Sequence, residues 1–182
     1  MMHIKLPKKI KHILILGFVA GFILALGTTL GSGYMIEATS KDNFCISCHS
    51  MKPFRTAWKK SKHGGRNSKG LVAQCTDCHL PHGDLINYVS AKAYTGMHDF
   101  VQNLIIDPNE HDWIGKTEAR REFTYDNSCL KCHQNLTEGL TISGIMAHRE
   151  YFLGDLDKRC VDCHKHVGHK DLKTEVKKYF GQ

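Results

Sequence analysis

Residues 13–36 contain no charged side chain, and most of them are apolar. As a helix rising about 1.5 Å per residue, this run is roughly 36 Å long, enough to cross a bilayer with some tilt. Lys5, Lys8, Lys9 and Lys11 precede it, and Glu37 follows. Lysines are retained on the cytoplasmic side, which predicts a cytoplasmic segment 1–12, an anchor 13–36 and an outer domain 37–182. A cleaved signal has a shorter apolar region and a small-residue cleavage site. Here the run ends in Gly31-Ser32-Gly33-Tyr34-Met35-Ile36 with no A-x-A site, which favours an uncleaved anchor. A second pattern has the helical period: Leu85, Val89, Ala93, Phe100, Leu104 and Ile105 predict a helix over 84–106. Asp107-Pro108 ends it.

The polar remainder carries the chemistry. All 8 cysteines fall into four copies of C-x-x-C-H: Cys45, Cys48 and His49; Cys75, Cys78 and His79; Cys129, Cys132 and His133; Cys160, Cys163 and His164. This is the attachment signature of a c-type haem, in which two thiols hold the porphyrin and the histidine is presented to the iron. Disulfide scaffolds rarely repeat a two-residue spacing, and zinc ribbons do not need a histidine after every second cysteine. Four covalent haems on one small domain must supply much of its core. The expected fold is mainly α: one N-terminal transmembrane helix, then a compact multihaem cytochrome c domain of short helices with little or no sheet.

The first cysteines, at 45, 75, 129 and 160, are separated by 30, 54 and 31 residues. That spacing divides the domain into two two-haem half-units, about 37–106 and 120–182. His63 stands twelve residues before Cys75 and His148 twelve before Cys160. The equivalence predicts matched distal ligands, exchanged between the half-units. His169 lies five residues beyond His164, whereas the matching position after His79 is Asp84. One haem therefore lacks a distal histidine. The first motif, continuing His49-Ser50-Met51, is the odd one. Spacing leaves Met51 either as an axial ligand, which raises a haem's potential, or as a core residue. Lys92 and Asp99 lie seven apart on one helix face. They suit either a quinol site, as hydrogen-bonding and proton-accepting groups, or an ordinary solvated pair.

Charge removes one function class. The formal net charge is +7, but four of the 25 Lys+Arg precede the anchor while all 18 Asp+Glu follow it. The outer domain is near neutrality once haem propionates are included, so nucleic acid is not implied.

An amino-terminal anchor, four C-x-x-C-H motifs and the C-x-x-C-H-x-M form of the first together resemble the NapC/NirT/NrfH family of quinol-oxidising tetrahaem cytochromes. Cys75-Thr-Asp-Cys-His-Leu-Pro-His is similar to that family's second-haem segment. Lys92-Ala-Tyr-Thr-Gly-Met-His-Asp99 is similar to the segment lining the quinol site in the NrfH branch. The resemblance implies Lys92 and Asp99 as quinol-site residues and Met51 as axial ligand of the first haem. It also implies His63 as distal ligand of the fourth haem, His169 of the third, and His148 as a ligand with which the chain completes the second. Segment 107–127 is more NapC-like than NrfH-like. The implied function is quinol dehydrogenase: menaquinol or ubiquinol is oxidised at the outer face of the bacterial inner membrane. Electrons then pass to a periplasmic reductase of nitrate, nitrite, N-oxide, S-oxide or fumarate type. An NrfH-type subunit feeding a nitrite reductase, an anchored carrier without quinol chemistry and a small-substrate reductase are the alternatives. The acceptor, the quinone type and the oligomeric state stay open.

Overall fold

A computed structural model describes residues 7–182, so Lys5 and His3 lie outside the described residues. The chain divides into two units, one ending at Ser40 and the other spanning Lys41–Gln182.

The first unit is a single helix, α1 (Lys8–Ala38), of 31 residues with no buried side chain. It is long and apolar enough to cross a membrane. At about 1.5 Å per residue it measures about 46 Å, so it overruns the apolar stretch at both ends. A helix in lipid must satisfy its polar groups internally. The Thr28 and Thr29 hydroxyls accordingly donate to the carbonyls of Leu24 and Ala25 at 3.0 and 2.8 Å. The hydroxyls of Thr39 and Ser40 close the end by donating to Met35 O (2.7 Å) and Ile36 O (2.6 Å).

The second unit is built of short helices: α2 (Asp42–Cys45), α3 (Lys52–Lys60), α4 (Cys75–His79), α5 (Leu85–Ile105), α6 (Trp113–Lys116) and α7 (Arg120–Phe123). They are followed by α8 (Asp126–Leu130), α9 (Ile142–Leu153), α10 (Cys160–Cys163) and α11 (Leu172–Phe180). Among the described residues there is no strand, only an isolated antiparallel bridge between Gly64 and Val72. This is the mainly α, sheet-poor fold expected from the sequence. The α5 bounds also agree with the periodicity. Asp84 caps the helix by accepting from Ile86 N (3.1 Å) and Asn87 N (3.3 Å).

The polypeptide alone buries little apolar surface. Among the described residues the fully or nearly buried hydrophobics are Ala57, Leu80, Val161 and Val176. A domain of this size ordinarily buries about two thirds of its surface. The contrast means that side chains are not the whole of the core. What packing there is joins α3 to α11, with Ala57 and Val176 at 0% exposure. Trp113 supports that pair, its ring 5.5 Å from Phe54 and 5.4 Å from Phe180.

Candidate functional site

Each C-x-x-C-H motif begins in or beside a helical turn, the geometry that turns residues i and i+3 to one side. All of α4 and α10 is motif, while α2 ends on Cys45 and α8 contains Cys129. The eight thiols are unbridged. Two carboxylates tie the motifs together in pairs. Asp42 accepts the amide of Cys75 at 2.8 Å, and Asp126 accepts that of Cys160 at 3.2 Å. Each stands three residues before a motif, in Asp42-Asn43-x-Cys45 and Asp126-Asn127-x-Cys129. Within α4 and α10, Asp77 and Asp162 accept the amides of Gln74 (2.9 Å) and Arg159 (2.7 Å) and cap the turns. The duplication inferred from cysteine spacing is thus repeated in the clamps. Their sequence signal is the D-N-x-C ahead of the first motif of each pair.

The thiols report which motifs are neighbours. Cys45 and Cys75 share a hydrogen bond that draws Cys45 down to about 7 and pushes Cys75 up. Burial raises Cys78 to about 11, helped by nearby Cys129 and Cys132. Burial likewise raises Cys129, which has a hydrogen-bonding contact with Cys160. The first motif therefore adjoins the second, the second the third, and the third the fourth. Hydrogen bonds reinforce the middle junction: Ser128 Oγ donates to Leu80 O at 2.6 Å, and Asn127 donates to His82 O.

The histidines fall into facing pairs. The ring centres of His79 and His169 are 6.1 Å apart, those of His63 and His133 6.0 Å, and those of His148 and His164 6.1 Å. An imidazole nitrogen holds a first-row metal at about 2.0–2.1 Å, and the ring centre lies about 1 Å behind it, so two rings on one iron have centres about 6 Å apart. The second ring nitrogen is also committed. His63 Nδ1 lies 3.0 Å from Val167 O, His79 Nδ1 2.6 Å from Phe123 O, His148 Nδ1 2.9 Å from Gly144 O and His169 Nδ1 3.1 Å from Phe54 O. An Nδ1–H donated to a carbonyl fixes the tautomer and leaves Nε2 as a lone-pair donor. His82 is engaged differently, with Nε2 on Thr76 O at 3.2 Å. Burial, with the His79 ring adding, lowers His169 to about 4, so it is neutral, as a ligand must be. These donors fit covalent haem.

Local structure explains the placement. His63 precedes two glycines, and a Cβ on Gly64 would sit 1.9 Å from Trp58 O, while Gly65 has φ +97°. The turn is held by Trp58 Nε1 donating to Ala73 O (3.0 Å) and by Ala73 N donating to His63 O (2.8 Å). His169 is held against α3, where the neighbouring Lys170 N also donates to Ala57 O at 3.1 Å. His148 rides on α9, one turn before Tyr151, whose hydroxyl donates to Asp126 at 2.7 Å.

The facing pairs differ from three expectations. His63 faces the third motif and not the fourth; His169 faces the second and not the third; His148 faces the fourth and not the second. The facing pairs that cross between the half-units are those of His63 and His169. His148 stays in its own half because α9 is anchored by Tyr151 to the Asp126 clamp that also holds Cys160. Equal spacing before a cysteine did not determine the direction of approach.

The first motif stands apart. Among the described residues no ring faces His49. Met51 lies at the end of a one-turn 3₁₀ segment, His49–Met51, whose Ser50 is buried. Ser50 Oγ donates to Asn103 Oδ1 on α5 at 3.2 Å. Lys92, Gly96, Asp99 and Asn103 form one stripe along α5. A Cβ on Gly96 would meet nothing within 4 Å, so the stripe has open space at its middle. Burial lowers the Lys92 ammonium, opposed by the Cys45 thiol. Asp99 is exposed, its carboxylate 3.2 Å from His98 Nδ1. It also acts electrostatically on His79, although burial is the larger influence there and lowers that imidazole.

The model of the NapC/NirT cytochrome c family, N-terminal region, matches residues 6–174. The chain belongs to that family. Tetraheme c-type cytochrome CymA of Shewanella oneidensis is 32% identical over 174 residues, covering 87% of this chain and 91% of CymA. Cytochrome c-type protein NapC of Escherichia coli is 29% identical over 87% of this chain and 80% of NapC. NrfH of Wolinella succinogenes is 28% identical over 84% of each chain. Against TorC of Escherichia coli the chain is 30% identical but spans only 44% of that protein. No solved structure gives a match. Family membership makes this a membrane-anchored tetrahaem cytochrome c of electron transport, with covalently bound haem.

Proposed function

We propose that this protein is a NapC-like quinol dehydrogenase of the bacterial inner membrane. It would oxidise menaquinol or ubiquinol and deliver electrons to a periplasmic terminal reductase. In this reading α1 spans the membrane once, with the Lys8 end in the cytoplasm and the haem domain in the periplasm. The observation that carries it is the α5 stripe of Lys92, Asp99 and Asn103, tied to the first motif by Ser50. Oxidation of one quinol yields the quinone, two protons and two electrons. Asp99 is suited to accept a ring hydroxyl proton, and Lys92 to steady the oxygen as negative charge develops. The exposed Asp99 carboxylate gives that proton a path to water.

Haem, when bound, supplies one-electron carriage. The chain's part would be to fix where it is held: the eight motif cysteines would form the thioethers, His49, His79, His133 and His164 would be the motif ligands, and His169, His63 and His148 would be their paired ligands at the second, third and fourth motifs. Met51 is the candidate axial ligand at the first. The head-to-tail adjacency of the four motifs supports a single relay in sequence order. His169 facing His79 lets the chain complete its second site without a partner's side chain, which favours a NapC-like role over an obligate NrfH-type subunit.

The test places the full haem-loaded chain in liposomes with a menaquinol analogue. Stoichiometric haem reduction at the expense of quinol is expected. Reduction by dithionite but not by quinol would instead identify an anchored carrier without quinol chemistry.

A further inference from the structure

The chain folds residues 60–66 and 166–171 around a cavity of about 620 Å³. No motif cysteine and no motif histidine lines it. His63 does, and so do Lys60, Lys62, Arg66 and Lys170, against a single carboxylate, Asp171. Lys60 is neutralised by Glu175. Among the described residues, Lys62, Arg66 and Lys170 have no carboxylate partner, and all three are exposed.

Their convergence is built into the backbone. Asn67 Nδ2 donates to Lys62 O at 2.8 Å and to Leu71 O at 2.6 Å, and Arg66 N donates to Ser61 O at 3.2 Å, which closes the loop carrying both cations. Lys170 is fixed opposite by its backbone N–H, which donates a hydrogen bond to Ala57 O at 3.1 Å. The carbonyl of Val167, another lining residue, lies 3.0 Å from His63 Nδ1 and joins the two walls.

Position decides the use. His63 faces His133 of the third motif, and residues 166–171 directly follow the fourth. The cavity therefore lies beside the third motif, which His63 faces, and next to the His169 that faces the second. Concentrated like charge beside a redox centre steers an oppositely charged partner and raises its rate of encounter. We infer that this face docks an acidic surface of the soluble redox protein that takes electrons from the chain, with Lys62, Arg66 and Lys170 as the recognition residues. The inference rests on the reading that electrons leave to a soluble protein. Each encounter moves one electron and makes or breaks no bond.

Two soluble oxidants of opposite surface charge test it: an acidic blue-copper protein and a basic monohaem cytochrome c. The full haem-loaded chain in nanodiscs is reduced with dithionite, so that a failure of quinol chemistry leaves the experiment intact. Stopped-flow mixing then follows reduction of Cu(II) to Cu(I), or of ferric to ferrous haem. The combined variant Lys62→Glu, Arg66→Glu and Lys170→Glu is expected to slow the acidic acceptor about 10–100-fold at low salt and to remove most of its salt dependence. The basic acceptor should react as fast as before or faster. Calorimetry of oxidised nanodiscs with the copper protein should show the same loss as weakened binding. A changed haem potential or a damaged fold would slow both acceptors together. That result, or an acidic acceptor slowed less than twofold, overturns the proposal.

Discussion

The imidazoles of His79 and His169 face each other at 6.1 Å although ninety residues of chain separate them. His79 belongs to the second motif and His169 follows the fourth, so neither half of the domain completes its own set of paired histidines. His63 reaches the other way, to His133. The two crossings lock the half-units together, and only the His148–His164 pair is local to one half.

This pairing predicts which substitutions act on the same haem. His169→Ala and His79→Ala should alter one common low-spin signal in electron paramagnetic resonance. His63→Ala should alter the signal that His133→Ala alters, and His148→Ala the one that His164→Ala alters. Each distal variant should gain a high-spin signal in exchange. If His169→Ala disturbs the His133 signal instead, the assignment from ring geometry is wrong.

The His63 turn makes a second prediction. An alanine Cβ at position 64 would stand 1.9 Å from Trp58 O and 2.9 Å from Lys59 Cα, both backbone atoms that cannot rotate away. Gly64→Ala should lower stability by about 1–3 kcal/mol, as overpacking does. It should also give part of the third haem high-spin character as His63 is displaced. Gly144→Ala, whose nearest neighbours are side-chain atoms at 3.3 Å or more, should leave the third haem's spectrum as it was.

Much of this was readable in the sequence because covalent attachment leaves a local signature. The four motifs, the anchor and α5 each depend on residues close together in the chain, and periodicity or spacing is enough to find them. The distal pairing was not readable. It depends on which carbonyl meets each Nδ1, and Val167, Phe54 and Phe123 are all far in sequence from the histidines they hold. The Asp42 and Asp126 clamps fall between these cases. Their repeat is local, but their partners lie over thirty residues away.

Acid should weaken the join between α7 and α10. Arg121 Nε lies 2.9 Å from both Asp162 oxygens, and its hydrogen bonds, with the Arg159 amide next, hold that carboxyl far below its ordinary value. A depressed carboxylate stabilises the fold fully above its unfolded value of about 3.9, and the contribution is lost as pH falls toward the folded value. Arg121→Gln should therefore be less stable than wild type at pH 7, by a margin that shrinks below about pH 4. Urea denaturation across that range measures it. A gap that stays constant down to pH 3 would show that Arg121 acts by packing alone.

The quinol reading meets its sharpest test on α5. Lys92 and Asp99 are two turns apart on the stripe that Asn103 ties to Ser50, and Gly96 leaves space between them. A proton acceptor and a cation placed around a hydroquinone ring oxygen lower the barrier to its oxidation, whereas the same pair on a merely solvated face does nothing. Asp99→Asn keeps the shape and removes the base; Lys92→Ala removes the cation. Each should slow quinol-driven haem reduction by about 10²–10⁴-fold, the range for a lost acid–base group. Dithionite reduction and the low-spin spectra should be unchanged, because neither residue belongs to a facing histidine pair. Gly96→Leu adds an independent check. Its side chain would enter the open space at the middle of the stripe, so it should raise KM for quinol more than it lowers kcat. Should all three variants keep wild-type quinol kinetics, α5 is an ordinary amphipathic helix and quinol oxidation, if it occurs, takes place elsewhere on the domain.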